Sequence, residues 1–196
     1  MTVETPARFS PLSEWQDGFA QLPTGFQVRE LPCLTQLTLR LKPGGAAAKA
    51  VESCLGTTLP GPLRAELSGD VEVLWMGPDE WLLVAPAGRQ DDLLARLRSA
   101  IGDEFATVTD VSAQRTTLAL SGHLVRTVLA QGCAIDLDPR VTPAGSCLTT
   151  LLAQAPVTLV VRDEAASGVW LLVRSSFASY LAAWLADACT EYRENS

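Results

Sequence analysis

A single histidine, His123, serves the whole 196-residue chain, so no metal site built on two or more imidazoles can come from it. The five cysteines, Cys33, Cys54, Cys133, Cys147 and Cys189, form an odd set with no C-x-x-C pair. That pattern excludes a zinc or disulfide framework and reads each thiol as a small buried apolar group in a reducing compartment. Charge is scarce too. Charged residues make up 19% of the chain, against roughly 25% in an average domain, which leaves surface for a contact with another protein. The 15 basic residues are scattered singly in a chain of net charge −7, and counterion release needs them clustered. Nucleic acid and anionic membrane are therefore not expected as partners. No basic start followed by an apolar core opens the chain, and no apolar run is long enough to span a bilayer, so the expected location is the cytoplasm.

Nucleotide and nucleophile motifs are missing as well. Gly44-Gly45 follows a strand-like run but lacks the third glycine and the Lys-Ser/Thr of a phosphate loop. His123 stands in Ser121-Gly122-His123 without a G-x-S-x-G elbow around it, so it reads as an exposed first-turn residue and not as the base of a triad. The expectation is that this chain contributes no catalytic, cofactor-binding or metal-ligating residue.

What is present is regular hydrophobic patterning. Residues 1–26 mix large apolar side chains with Pro6, Pro11, Gly18, Pro23 and Gly25, which predicts an arm with one helical turn after Ser13. Leu37 to Leu41 alternates as a half-buried strand, and Ala46 to Leu55 reads as a helix closed by Gly56. Val71 to Met76 and Trp81 to Ala85 flank Gly77-Pro78-Asp79-Glu80 as a hairpin, followed by a helix from Asp91 to about Ala100. The second half begins with strands at Thr107 to Val111 and Arg115 to Leu120, then a helix from Gly122 to about Ala130. Further strands are predicted at LTTLLA, PVTLVV and Val169 to Val173. The last helix places Phe177, Tyr180, Leu181, Trp184, Leu185 and Ala188 along one stripe, which predicts a core face.

Two short strings recur in the same order. Thr38 to Leu41 (TLRL) returns as Thr117 to Leu120 (TLAL), and Trp81 to Val84 (WLLV) returns at Trp170 to Val173. The expected fold class is α+β, with two internally related βαββα-like subdomains sharing one core. The arm spans 1–26 and one domain spans 27–196, with halves at about 27–103 and 104–196.

Several carboxylates merit a place on the map. Asp136 and Asp138, in CAIDLDP, could share one side of an extended segment, although a loop edge with a capping aspartate is the simpler reading. Asp110 lies near a strand end, where a turn aspartate bonding its own backbone explains it equally well. Asp163-Glu164 reads as a solvated hairpin tip.

The segments GPDEWLLVAP, TDVSAQRTTLALSG, GCAIDLDP and VRSSFASYLAAWLADACTEY, in that order, resemble the gamma subunit of heterotetrameric sarcosine oxidase over roughly residues 70–194. Where that family is associated with a histidine before the proline of the acidic segment, this chain has Asp138. The resemblance implies a fold like the folate-binding domain of the aminomethyltransferases, the glycine-cleavage T-protein among them. It also implies an assembly with alpha, beta and delta subunits, closest contact being expected with alpha. That enzyme demethylates sarcosine oxidatively to glycine, hydrogen peroxide and 5,10-methylenetetrahydrofolate. FAD, FMN, NAD and tetrahydrofolate are then expected on partner subunits, with zinc on delta, and this chain is expected to be a non-catalytic structural part of an oxidoreductase.

Two alternatives stay open at the level of sequence. One is a stand-alone folate-binding protein of the same fold. Folate-binding relatives have a Tyr-Thr-Gly-Glu segment before the later hairpin strand, whereas this chain reads VVRDEAASGVWLLV, with Glu164 as the nearest substitute. The other is the equivalent subunit of a related N-methyl amino-acid dehydrogenase. The arm's apolar residues are expected to pack over the domain's own core or, alternatively, to dock on another chain, in which case Trp15 and Phe19 are the expected partner-contact residues, because large aromatics anchor interfaces once buried.

Overall fold

The computed structural model describes residues 8–165 and 167–193. The arm forms a 3-10 turn at Ser13–Trp15 and helix α1 (Gln16–Ala20), then leads into β1 (Gln27–Leu31) and β2 (Thr35–Leu41). Helix α2 (Ala46–Leu55) follows, then β3 (Ala65–Ser68), β4 (Val71–Gly77), β5 (Glu80–Ala85) and α3 (Gln90–Ile101). The remainder repeats that succession as β6 (Ala106–Asp110), β7 (Arg115–Ser121), α4 (Val125–Ala130), β8 (Cys147–Leu152), β9 (Ala155–Val161), β10 (Gly168–Arg174) and α5 (Ala178–Ala188).

Two five-stranded sheets result, ordered β3-β4-β5-β2-β6 and β8-β9-β10-β7-β1, with antiparallel pairing throughout. The orders correspond strand for strand, with one exchange. β1 precedes β2 in the chain but pairs with β7, and β6 precedes β7 but pairs with β2. Each half lends its first strand to the other half's sheet, and the repeating unit is ββαβββα, longer by two strands than the unit the sequence suggests.

Strand alternation sorts the side chains into three layers. Leu37, Leu39 and Leu41 of β2, with Trp81 and Leu83 of β5, pack under α2 and α3. Leu118 and Leu120 of β7, with Leu171 and Val173 of β10, pack under α4 and α5. The opposite faces meet each other: Leu74, Leu82 and Val84 of one sheet touch Cys147, Val160 and Leu172 of the other. The architecture is helix, sheet, sheet, helix. Where the two sheets cross, Ala65 N donates to Gly145 O at 2.8 Å and Cys147 N donates to Leu63 O at 2.9 Å.

The arm closes the second helix-facing core. Leu12, Phe19 and Phe26 are buried against Val28, Leu120 and the α4 and α5 side chains. Full burial of such side chains contributes roughly 1.5–3 kcal/mol each.

Three sequence expectations differ from the fold in instructive ways. β1 and β3 were not expected, because β3 is only AELS and mostly exposed, while β1 buries a glutamate, Glu30, on its inward face. The WLLV recurrence occupies equivalent strands but slips by one residue: Trp81 pairs with Leu39 and faces the helices, whereas Trp170 pairs with Ala119 and faces the other sheet. A shift of one residue along a strand exchanges its faces. On α5 the buried face is Ala178, Leu181, Ala182, Leu185 and Ala188, with Trp184 half-buried, while Tyr180 and Phe177 lie at its exposed margin. Ala178 and Ala182, absent from the sequence stripe, are as fully buried as Leu181 and Leu185.

Candidate functional site

The β7–α4 junction is built around a close backbone approach. Gly122 sits at φ +117°, and a Cβ there would overlap the carbonyl of Gly25, so the arm's last turn lies directly on the junction. Leu124 N donates to that same Gly25 carbonyl at 3.0 Å, and Gly122 N donates to Ser167 O at 3.0 Å, which ties in the β9–β10 hairpin tip. The exposed His123 ring lies flat against Gly25. His123, Arg126 and Thr127, spaced i, i+3 and i+4, line one side of an open hollow of about 650 Å³, and Ser167 lines the other. Ser167 is fixed from behind by Asp163, whose carboxylate accepts from Ser167 N at 2.9 Å and Ser167 Oγ at 3.0 Å.

A second cavity, of about 450 Å³, lies where the arm meets the ends of β7 and β10. Its walls include Ser10, Cys33, Asp110, Ser112 and Arg115. Glu30, buried on β1, accepts from Thr116 Oγ1 at 2.5 Å and from Ser10 Oγ, so two hydroxyls hold its carboxylate and pin the arm. Arg115 stands directly opposite Arg174 on β10, and its Nη1 is buried without a hydrogen-bond acceptor among the described residues. Burial first, and the Arg174 charge second, hold its pKa below the usual arginine value.

Between the sheets, Glu72 of β4 is ion-paired with Arg162 at the end of β9, their side chains 7% and 29% exposed. Burial pushes the Glu72 carboxyl above its ordinary pKa, and Arg162 pulls the other way. The net rise shows desolvation outweighing the single ion pair. The Cys147 thiol donates to Trp75 O at 3.5 Å, and burial, aided by the Glu72 charge, pushes it up to about 12. These groups form a clamp between the two sheets, with Glu72 and Cys147 buried and Arg162 at its open edge.

The carboxylates singled out in the sequence are occupied locally. Asp136 accepts from Asp138 N at 2.9 Å, and Asp138 binds Arg140 through both oxygens at 2.9 Å, so the two do not face each other as a catalytic pair. The Arg140 contacts hold the Asp138 carboxyl well below the usual carboxylate range. Asp110 accepts from Ser112 N at 2.9 Å as a turn aspartate. Glu164 is exposed at the hairpin tip. Trp15 and Phe19 stack with ring centroids 6.2 Å apart, Trp15 half-buried and Phe19 within the chain's own core. Among the described residues no group of three or more His, Cys, Asp or Glu is arranged to hold a metal ion, and no helix is long and apolar enough to cross a membrane. Glu30, Arg126 and the Glu72–Arg162 pair were missed in the sequence, since each gains its setting from a strand or helix distant in the chain.

Comparison with known proteins gives a consistent result. A family model described as sarcosine oxidase, gamma subunit family, matches residues 42–191. The chain is 38% identical over 193 residues to sarcosine oxidase subunit gamma of Corynebacterium sp. (strain P-1), covering 96% of this chain and 93% of that protein. The same identity and coverage hold for the gamma subunit from an Arthrobacter species. Among solved structures, a chain of the heterotetrameric sarcosine oxidase from Corynebacterium sp. U-96, in complex with pyrrole 2-carboxylate, superposes with a TM-score of 0.87 at 36% identity, covering 95% of this chain and 96% of that one. The glycine cleavage system aminomethyltransferase T from Bartonella henselae matches with a TM-score of 0.62 at 14% identity, over 86% of this chain and 47% of that one, which establishes a shared fold.

Proposed function

The chain belongs to the sarcosine oxidase gamma subunit family, and from that premise we propose that it is the non-catalytic assembly subunit of a heterotetrameric sarcosine oxidase in the cytoplasm. The parent enzyme would demethylate sarcosine oxidatively to glycine, hydrogen peroxide and 5,10-methylenetetrahydrofolate. In this reading the alpha, beta and delta subunits are its partners, alpha the nearest, and FAD, FMN, NAD and tetrahydrofolate are held by those partners. The observation that carries the proposal is the near end-to-end match, in sequence and in fold, to a chain of a heterotetrameric sarcosine oxidase.

The site chemistry supports a structural role. The two buried carboxylates hold the sheets and the arm together: Glu72 pairs with Arg162, and Glu30 accepts from Ser10 and Thr116. The surface retains large unpaired apolar groups, including Phe105 at 99% and Phe9 at 87% exposure, and a few such anchors are what a protein partner covers. Trp15, half-buried beside Phe19, keeps part of its ring available on the arm.

The test is coexpression with and without the neighbouring flavoprotein subunits. The expected result is copurification in a complex that releases hydrogen peroxide from sarcosine, with no turnover by the isolated chain. A stable free protein that never joins the flavoprotein subunits overturns the proposal. Micromolar binding of tetrahydrofolate to the isolated chain would instead establish a folate-binding protein.

A further inference from the structure

The hollow at the β7–α4 junction has walls of one chemical kind. His123, Arg126, Thr127 and Ser167 face it, together with backbone at Gly122 and Ala165, and none of these described lining residues is acidic. Arg126 makes no salt bridge with any described residue, and its Nε is buried with no acceptor among the described residues. A guanidinium left in that state is costly unless an anion completes it. The nearest carboxylates have other hydrogen-bond partners: Asp138, which feels the Arg126 charge at longer range, is bound by Arg140, and Asp163 accepts from Ser167. In a chain of net charge −7, a concave patch bearing an arginine without a salt bridge to any described residue and an imidazole, with no carboxylate among its described lining residues, is a local concentration of donors.

The geometry is also fixed before any ligand arrives. The Gly25–Gly122 approach fixes the backbone that carries His123, whose ring lies beside Gly25, the bond from Gly122 N to Ser167 O sets the distance across the hollow, and Asp163 orients Ser167. Preorganised donors of this sort lose little entropy on binding.

We propose that this hollow binds a phosphate-type oxyanion, gripped by Arg126 and His123 with Thr127 at the rim. An arginine fork suits a planar or tetrahedral oxyanion, and a hydroxyl beside it adds a donor. The hollow is open enough that the phosphate can be free or carried on a larger molecule. This site is independent of the assembly role proposed above, and either can fail without the other.

The experiment titrates the full chain with inorganic phosphate at constant ionic strength, reading thermal stability and calorimetric heat. Saturable stabilisation is expected, and Arg126→Gln should weaken the apparent affinity about tenfold, the size of a lost charged hydrogen bond. His123→Gln and Thr127→Val should each weaken it severalfold. Arg96→Gln, on α3, removes the same charge elsewhere and should leave binding unchanged. Because Arg126 is partly buried, circular dichroism is run on each variant, and the exposed Thr127 carries the test if Arg126→Gln fails to fold. Parallel titration with glycerol 3-phosphate assigns the source: comparable affinity supports a phosphate borne on a larger molecule, and binding of inorganic phosphate alone supports the free ion. Absence of saturable binding, equal binding by Thr127→Val and the wild type, or equal loss in Arg96→Gln overturns the proposal.

Discussion

Glu72, on the inner face of one sheet, is ion-paired with Arg162 at the inner face of the other, and the Arg162 guanidinium lies 4.1 Å over the ring of Trp170. The pair joins β4 to the end of β9 across the layer where the sheets meet, so its loss acts on both halves at once. Arg162→Leu leaves the buried carboxylate unpaired, and the expected cost is about 3 kcal/mol near neutral pH. The sign of the pH dependence follows from burial. Glu72 titrates above its ordinary value in the fold, so as pH rises through that raised pKa the folded state loses a proton that it held more tightly than the unfolded chain did, and stability falls. Removing Arg162 raises the Glu72 pKa further. The deficit of the variant should therefore be larger at about pH 8 than at about pH 5, as measured by urea unfolding; a deficit independent of pH would sink this account.

The Gly122 contact makes a sharper prediction about the backbone. Gly122→Ala places a methyl group on the Gly25 carbonyl at a positive φ, and the combined strain should cost roughly 3 kcal/mol or prevent folding. Gly44→Ala also has a positive φ but nothing within 4 Å, so it should cost about 1 kcal/mol. Thermal unfolding of the two variants compares a crowded glycine at φ +117° with an open one at φ +69°, and a loss at Gly122 no larger than at Gly44 would remove the close approach as a constraint.

The aromatic pair on the arm should split. Phe19→Ala opens a cavity in the chain's own core and should cost about 3 kcal/mol in the isolated chain. Trp15→Ala, at a half-buried position, should cost about 1 kcal/mol there, and it should lower copurification with partner subunits beyond what that loss of stability explains. Equal retention of the complex by Trp15→Ala and the wild type would remove Trp15 from the interface.

Thiol reactivity should follow burial. Burial pushes Cys147 up to about 12 and Cys189 up to about 11, so both should resist a disulfide reagent near pH 8 until the chain unfolds. Cys33, Cys54 and Cys133, which are half-buried, should react in the native state. Mass mapping after brief labelling checks the order.

The sequence was most readable where a single element decides its own burial. The helices at 46–55 and 90–101 and the 71–85 hairpin stand at the expected places within a residue or two, because alternation and helical spacing report local geometry. What it could not convey is which strand lies beside which. The exchange of β1 and β6 depends on pairings between distant segments, and nothing in QVREL announces that its neighbour is RTTLALS. The hollow at His123 is of the same kind: Gly25, Gly122 and Ser167 come from three separate stretches, and only their meeting gives the lone histidine a setting. The WLLV recurrence shows the reverse hazard, identical letters whose side chains point to opposite layers.

The exchanged strands also set a timetable for synthesis. Gln27 lies 94 residues ahead of its strand partner Ser121, so as the chain leaves the ribosome β1 emerges long before anything exists for it to pair with. The first sheet is likewise incomplete until β6 has been made, since β2 waits for it. Neither half can mature alone, and the nascent first half presents an unfinished strand edge for several seconds at ordinary elongation rates of about 5–20 residues per second. Such an edge is open to mispairing with a neighbouring copy. A chain built this way gains from a second half that follows the first without pause, since only β6 and β7 complete the waiting edges.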